Sequence, residues 1–395
     1  MAARKESGAA ANANSIVQEA VHAAIRKGGE IGLQVAAYVD GERVVDVWGG
    51  LADETTGRTV NGETLFPVFS VTKAVTATAL HIQAERGLVD YDAPIAHYWP
   101  EFGAHGKEKG TVRDALTHRI GIPQMPEGVT PELMCDWEWM VRQLADTKPL
   151  FTSGTKSAYL AYTFGWIIGE VVRRTDPKRR PFGTFVQQEI CAPLGIESLW
   201  LGIPDEVEPR VAKLTNIPRP SPDAPGLPPE ALIPIAIPPQ VGVIQKVFGR
   251  PDVRRACIPG AGGIMNARSA AKFFAMLANG GELGGVRLLS EERVRSFRVP
   301  RPNGEEFDPV VWRVLNLGMG GFWLGGESPS APPVVGRNPR TICHPGAGGS
   351  IGWADPDARL AVAICHNRMF DAPTPEGNPF VPIGNAVREA LGVAG

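Results

Sequence analysis

Apolar and polar positions alternate with two different periods along this chain, and the changes of period mark out its elements. Between Ser15 and Lys27, Ile16, Val17, Ala20, Val21 and Ile25 recur three to four apart, which predicts an amphipathic helix. The stretches Gly32 to Val39 and Glu42 to Trp48 are rich in β-branched and aromatic residues, and Asp40-Gly41 between them signals a two-residue hairpin. Helical spacing returns after Ser70, with Ala74, Ala77, Ala79, Leu80, Ile82 and Ala84, and Gly87 is placed to stop that helix at C′. Thr111 to Pro123 reads as a short helix with a stop at Gly121, and Asp136 to Ala145 as another. The run from Tyr159 enters a helix that reaches Arg174.

Residues 203 to 256 break the pattern, with prolines at positions such as Pro204, Pro209, Pro218, Pro220, Pro234, Pro238 and Pro239. That density predicts a long ordered loop or lid without regular structure. It either shapes the mouth of a site or is a surface excursion. Gly260-Ala261-Gly262-Gly263 then leads into a helix with Ala271, Phe274, Ala275 and Leu277 as core positions. Thr341 to Trp353 and Leu360 to Cys365 read as strands, and Pro382 to Leu391 as a final helix packed back on the sheet. The expected architecture is α/β: an antiparallel sheet flanked by terminal helices, with an inserted, mainly helical domain. Its expected boundaries are 1–69 and 258–395 for the sheet domain, 70–202 for the helical domain and 203–257 for the Pro-rich segment.

Composition narrows the function more by exclusion than by indication. The 395 residues are 43% hydrophobic, enough for a large core, and 40 basic residues against 42 acidic ones give no nucleic-acid or anionic-membrane signature. The N-terminal stretch lacks the apolar centre of a secretory leader and no apolar run is long enough to span a bilayer, so a cytoplasmic protein is expected. Cys135, Cys191, Cys257, Cys343 and Cys365 are scattered and odd in number, which predicts reduced packing residues rather than disulfides or metal ligands. The histidines form no metal-spaced cluster either.

Candidate chemistry centres on Ser70-Val71-Thr72-Lys73, at the mouth of the predicted helix. A hydroxyl needs an adjacent base, and an ordinary lysine is protonated near neutral pH. Burial and the positive end of a helix dipole would both hold Lys73 neutral, and the helix N-terminus offers N–H groups to an oxyanion. The spacing occurs twice more, at Ser153 to Lys156 and Ser269 to Lys272. Gly154 makes the former a turn, and Lys272 reads as a solvated helix residue. Ser70 could equally be a capping or solvent-facing serine on spacing alone.

Three further features bear on the site. A tyrosine where a turn enters a helix can project its phenol into a cleft, which favours Tyr159 over Tyr162 as a chemical residue. His118 sits at a helix end, where an imidazole commonly serves backbone groups, so a structural role is expected. Gly348-Gly349-Ser350-Ile351-Gly352 matches the nucleophile-elbow pattern, but a strand rather than a helix follows it. Its glycines are expected to let a strand approach a ligand.

Ser70-Val71-Thr72-Lys73, Tyr159-Leu160-Ala161 and His344-Pro345-Gly346, in that order, resemble the three boxes of the serine β-lactamase and penicillin-binding-protein superfamily. Within it the chain is most similar to class C β-lactamase-like carboxylesterases, called family VIII esterases, and to related acyltransferases. The resemblance implies an acyl-enzyme on Ser70, a proton relay through Lys73 and Tyr159, and an oxyanion hole from the N–H groups of Ser70 and Ala347 on an edge strand. It implies no cofactor, a small-molecule ester as substrate, and His344 and Gly346 as substrate-contacting residues.

Two boxes depart from the β-lactamase pattern. Tyr-x-Asn reads Tyr159-Leu160-Ala161 and Lys-Thr-Gly reads His344-Pro345-Gly346, which removes an amide and a fixed cation. Both changes disfavour an anionic β-lactam and favour uncharged esters, with His344 shaping a pocket rather than acting as a base. Short- to medium-chain carboxylic esters are the expected substrates. An acyltransferase using a bulky alcohol, a weak β-lactamase or D-amino-acid peptidase, and a non-catalytic binding relative are the alternatives.

Overall fold

Asp40 and Gly41 both take positive φ, 50° and 85°, the conformation that a tight two-residue hairpin demands, and the sheet grows from the two strands they join. The computed structural model describes residues 2–215, 228–370 and 378–393. Within these the strands are β1 (Gly32–Val39), β2 (Glu42–Asp53), β3 (Arg58–Thr59), β4 (Phe66–Phe69), β5 (Leu199–Leu201), β6 (Gly263–Met265), β7 (Glu282–Leu283), β8 (Val286–Arg287), β9 (Phe307–Asp308), β10 (Arg313–Val314), β11 (Trp323–Leu324), β12 (Ile342–Pro345), β13 (Ile351–Asp355) and β14 (Leu360–His366). The helices that frame the sheet and the site are α1 (Ala2–Gly28), α2 (Thr72–Glu85), α3 (Val112–Leu116), α4 (Trp137–Asp146), α5 (Thr163–Thr175), α6 (Ala267–Ala278) and α7 (Val381–Leu391).

The large sheet has the order β11-β12-β13-β14-β1-β2-β3 with antiparallel neighbours, so chain-terminal strands meet at its centre where β1 pairs with β14. Period-two alternation sorts its side chains between two layers. Leu33, Val35 and Ala37 of β1, with Val362 and Ile364 of β14, share a core with Val17 and Val21 of α1 and Ile383 and Val387 of α7. Ala36 and Tyr38, with Ala361 and Ala363, face the other way and join Phe273, Phe274 and Leu277 of α6. Each Val, Leu or Ile buried in this way contributes about 1.5–3 kcal/mol.

A smaller antiparallel sheet, β4-β6-β5, carries the chain from the large sheet to the helical region. It matters because β4 ends one residue before Ser70 and β6 begins at Gly263, the last residue of the Gly260 run. Helix α2 leaves from this point and closes as expected: Gly87, φ 72°, donates to Ala84 O and Leu88 donates to Gln83 O, the paired bonds of a Schellman stop.

The structure corrects several local expectations. Helix α3 ends at Leu116, and His118 itself takes the left-handed position (φ 60°) that the sequence reading gave to Gly121. Tyr159 lies in the loop before α5, which starts only at Thr163. Described parts of the Pro-rich segment fold into single helical turns, among them Ile233–Ala236, Pro239–Val241, Gln245–Phe248 and Pro251–Arg255. Three of these four begin with proline in their first two positions, where a missing N–H costs nothing. Pro218 and Pro220 fall outside the described residues. Strand β12 is not the sheet edge: β11 pairs with Ile342 and Cys343, leaving His344 and Pro345 beyond its reach.

Candidate active site

Ser70 leaves β4 through an unusual backbone. Phe69, an aromatic residue, holds φ at 47°, a conformation that persists only when its surroundings fix it. Thr72 supplies that fixing: its Oγ1 donates to Phe69 O and accepts the Gly263 N–H at 2.8 Å, tying the turn to β6. The Phe69 ring meets Phe248 of the Pro-rich segment edge-on, with centroids 5.1 Å apart.

Lys73, one turn on, has no solvent exposure. Its Nζ lies 3.0 Å from Ser70 Oγ, 2.6 Å from Ala161 O and 2.7 Å from Gly260 O. A neutral amine has two N–H donors and one lone pair, and here two carbonyls take the donors while the Ser70 hydroxyl can donate to the lone pair. Burial holds Lys73 well below the usual lysine range, so the neutral form fits both chemistry and geometry. Lys107 gives the contrast: its buried Nζ meets three carbonyls, Ala104, Ala145 and Thr147, the pattern of an ammonium.

The Tyr159 phenol faces the Ser70 side chain, and Lys73 Nζ stands 5.0 Å from the centre of its ring. Burial pushes that phenol above its ordinary value, against the lowering effect of the Ser70 side chain. The resting pair is therefore a neutral amine and a neutral phenol, both on one hydroxyl. Of the two, the amine is the better base and the phenol the better proton donor. Tyr162 points elsewhere, its hydroxyl donating to Val241 O at 2.8 Å inside the core.

His118 is the residue whose ring holds Tyr159 in place. Its Nδ1 accepts the Leu160 N–H at 3.0 Å, its carbonyl accepts the Ala158 N–H at 3.0 Å, and its ring packs on Tyr159 at 4.5 Å. It is structural, as expected, but it binds a backbone N–H rather than helix-end carbonyls. Fully buried, it stays neutral, with burial the main cause.

His344 is also buried and neutral, pushed down to about 3 mainly by burial. Its Nδ1–H donates to Pro345 O at 2.9 Å, and its Nε2 has no partner among the described residues. Gly346 presses on the strand before the serine: a Cβ there would lie 2.2 Å from Val68 O. Ala347 is partly exposed in the turn that follows, and its N–H donates to no group among the described residues.

The competing serines separate from this cluster. Gly154 turns the chain at φ 80°, Lys156 is exposed, and Lys272 donates to Gly195 O away from Ser269. Ser350 lies between two antiparallel strands and accepts the His366 N–H at 3.2 Å. The glycines around it approach protein rather than ligand, since a Cβ on Gly352 would strike Phe274 at 2.1 Å and one on Gly348 would strike Met369 at 2.5 Å. The sequence reading missed the carbonyls that hold Lys73. Their signal was the Gly260 run and Gly165, where an added Cβ would lie 2.4 Å from Tyr162 O and 2.0 Å from Gly260 N respectively.

An antiparallel sheet with terminal helices on one face, and a Ser-x-x-Lys serine shared by a buried amine and a phenol, define a serine enzyme of the β-lactamase type. The chain belongs to the Beta-lactamase family, whose model matches residues 14–382, and it is a serine hydrolase. It is 34% identical over 388 residues to Esterase/beta-lactamase LipL of Mycobacterium tuberculosis, covering 91% of this chain and 82% of that protein. Among solved structures it is similar to a penicillin-binding protein homologue from Caulobacter crescentus and to a family VIII carboxylesterase. Each superposes with a TM-score of 0.83 at 31% identity, over 95% of this chain and 97% of the other. No helix among the described residues is long and apolar enough to cross a membrane.

Proposed function

We propose that this hydrolase is a carboxylesterase that cleaves short- to medium-chain carboxylic esters through an acyl-enzyme on Ser70. The observation that carries the reading is the shared hydroxyl: Ser70 Oγ lies 3.0 Å from a buried Lys73 amine, with the Tyr159 phenol facing it from the other segment. The names of two similar proteins, an esterase/beta-lactamase and a family VIII carboxylesterase, support the same class of substrate.

In the proposed cycle Lys73 takes the Ser70 proton as Oγ attacks the ester carbonyl. The N–H groups of Ser70 and Ala347 receive the oxyanion. Tyr159 passes a proton to the departing alcohol oxygen and is reprotonated from the Lys73 ammonium, so the amine is neutral again when the acyl-enzyme stands. Water then repeats the steps on the acyl carbonyl and releases the acid. His344, neutral and with Nδ1 committed to Pro345, shapes the pocket beside Gly346 and takes no proton.

Turnover of a 4-nitrophenyl ester series by the wild type beside Ser70→Ala tests the proposal. Loss of turnover only in the variant supports it, and equal residual rates reject Ser70 as nucleophile. Added alcohols separate hydrolysis from acyl transfer by product ratio, and a chromogenic cephalosporin reports any β-lactamase activity.

A further inference from the structure

The departures in the third box remove the fixed cation from the position His344 fills, yet the structure brings another cation to the same cleft. Arg313, on β10, lays its guanidinium over the Trp323 ring, with its central carbon 4.9 Å from the ring centre. That indole stands edge-on to both site rings, 6.3 Å from Tyr159 and 6.3 Å from His344. Against the larger rise from burial, the nearby guanidinium lowers the pKa of the Tyr159 phenol. Arg313 is exposed, and among the described residues it makes no hydrogen bond and no ion pair.

The absence of a partner is informative because an acid is close by. Asp308 sits directly opposite Arg313 in the β9–β10 pair. It turns inward instead, fully buried, where its Oδ1 accepts the N–H groups of Val310 at 2.9 Å and Val311 at 3.2 Å. The charge facing it from within is Arg301, itself buried and fastened to Thr117 O at 2.9 Å and to Ser157 Oγ. Asp308 forms an ion pair with neither arginine among the described residues; its buried carboxyl acts on Arg301 and, across the strand pair, on Arg313 from a distance. With Lys73 and His344 both neutral, Arg313 is left as the exposed charge over the cleft with no bonded counter-ion among the described residues.

A guanidinium held over an indole keeps N–H groups free to act as a two-pronged donor, the chemistry that matches a carboxylate. We propose that Arg313 binds a carboxylate on the substrate, so that the preferred esters are anionic ones whose carboxylate lies within reach of Arg313 when the scissile carbonyl is at Ser70. The inference rests on the esterase reading of Ser70 and revises the expectation of uncharged substrates.

Two matched pairs of esters test it. 4-Nitrophenyl butyrate against mono-4-nitrophenyl glutarate places the carboxylate on the acyl side, and phenyl acetate against 4-carboxyphenyl acetate places it on the leaving group. The readout is the ratio of kcat/KM for the anionic ester to that for its neutral partner, in the wild type, Arg313→Gln and Arg313→Lys. A purely structural role, or an effect through Tyr159, scales both members of a pair together and leaves the ratio fixed. The expected result is a fall of about ten- to hundredfold in that ratio for Arg313→Gln in at least one pair, mainly through KM. Arg313→Lys retains part of the preference, and raised salt erodes it in the wild type. A ratio that stays within about twofold across the three proteins in both pairs overturns the inference while leaving the esterase reading intact. If the wild type turns over none of the four esters and a fluorophosphonate fails to label Ser70, the esterase reading fails and takes this inference with it.

Discussion

Lys73 reaches Ser70 Oγ at 3.0 Å from a position with no exposure to solvent, so whatever keeps its amine neutral is part of the active site. Replacing it by methionine is expected to lower kcat by about 10²–10⁴. The same change is expected to raise Tm at pH 7. Lys73 binds its proton less tightly folded than unfolded, so the unfolded chain holds more protons at neutral pH. The wild type therefore gains stability as pH rises towards the ordinary lysine value, and Lys73→Met removes that gain. Calorimetry at pH 7 and pH 9.5 checks it: the Tm advantage of the variant should shrink at the higher pH.

The neutral state of Lys73 also sets the pH profile of the reaction. Activity requires the free amine, so kcat/KM should rise with pH through the lowered lysine value and should show no step from His344, which titrates at about 3. His344→Ala is expected to cost roughly tenfold or less in kcat/KM and to leave the profile above pH 5 unmoved. A loss as complete as that of Ser70→Ala would make His344 a base after all.

His118 predicts a separation of stability from binding. His118→Phe keeps the ring packing on Tyr159 but leaves the Leu160 N–H buried without an acceptor, a cost of about 1–3 kcal/mol. Tyr159 then loses its fixed backbone, and kcat is expected to fall at least about tenfold with KM little changed. Restoring an acceptor with His118→Asn should recover part of the kcat. A variant that lowers Tm without touching kcat would show that Leu160 is not the link.

Acid should destabilise the fold through two buried imidazoles. His81 and His344 both titrate at about 3 in the folded protein against about 6.5 when free. In that window the unfolded chain binds the extra protons, so stability is present above pH 6.5 and is lost as pH falls towards 3. Each group contributes a slope of about 1.4 kcal/mol per pH unit there. His81 stacks on Phe297 at 4.0 Å and bonds Tyr91 and Gly320. His81→Phe should flatten part of the slope in denaturant titrations at pH 4, 5 and 6.5.

Much of this was legible in the residues because local rules and tertiary structure agree there. Asp40-Gly41, Gly87 and the alternation in β1 each meet a backbone or burial demand that few residue types satisfy, and the elements formed where they point. The three boxes were readable as a set, although nothing in spacing alone chose Ser70 over Ser269. What decided it was long-range: the carbonyls of Ala161 and Gly260 come from residues 88 and 187 positions away from Lys73. The same holds for the turns in the Pro-rich segment, which proline density concealed, and for Arg313, which looks like any surface arginine until Trp323 is placed beneath it.

The contact between Phe69 and Phe248 has a practical side. Anyone reshaping selectivity by exchanging the Pro-rich segment for that of a relative would also be removing a ring packed edge-on against the nucleophile's left-handed neighbour. Grafts that retain Phe248 and the Val241 carbonyl, which anchors Tyr162, are the ones expected to preserve a working serine. Transplants that drop them should yield well-folded but slow enzymes.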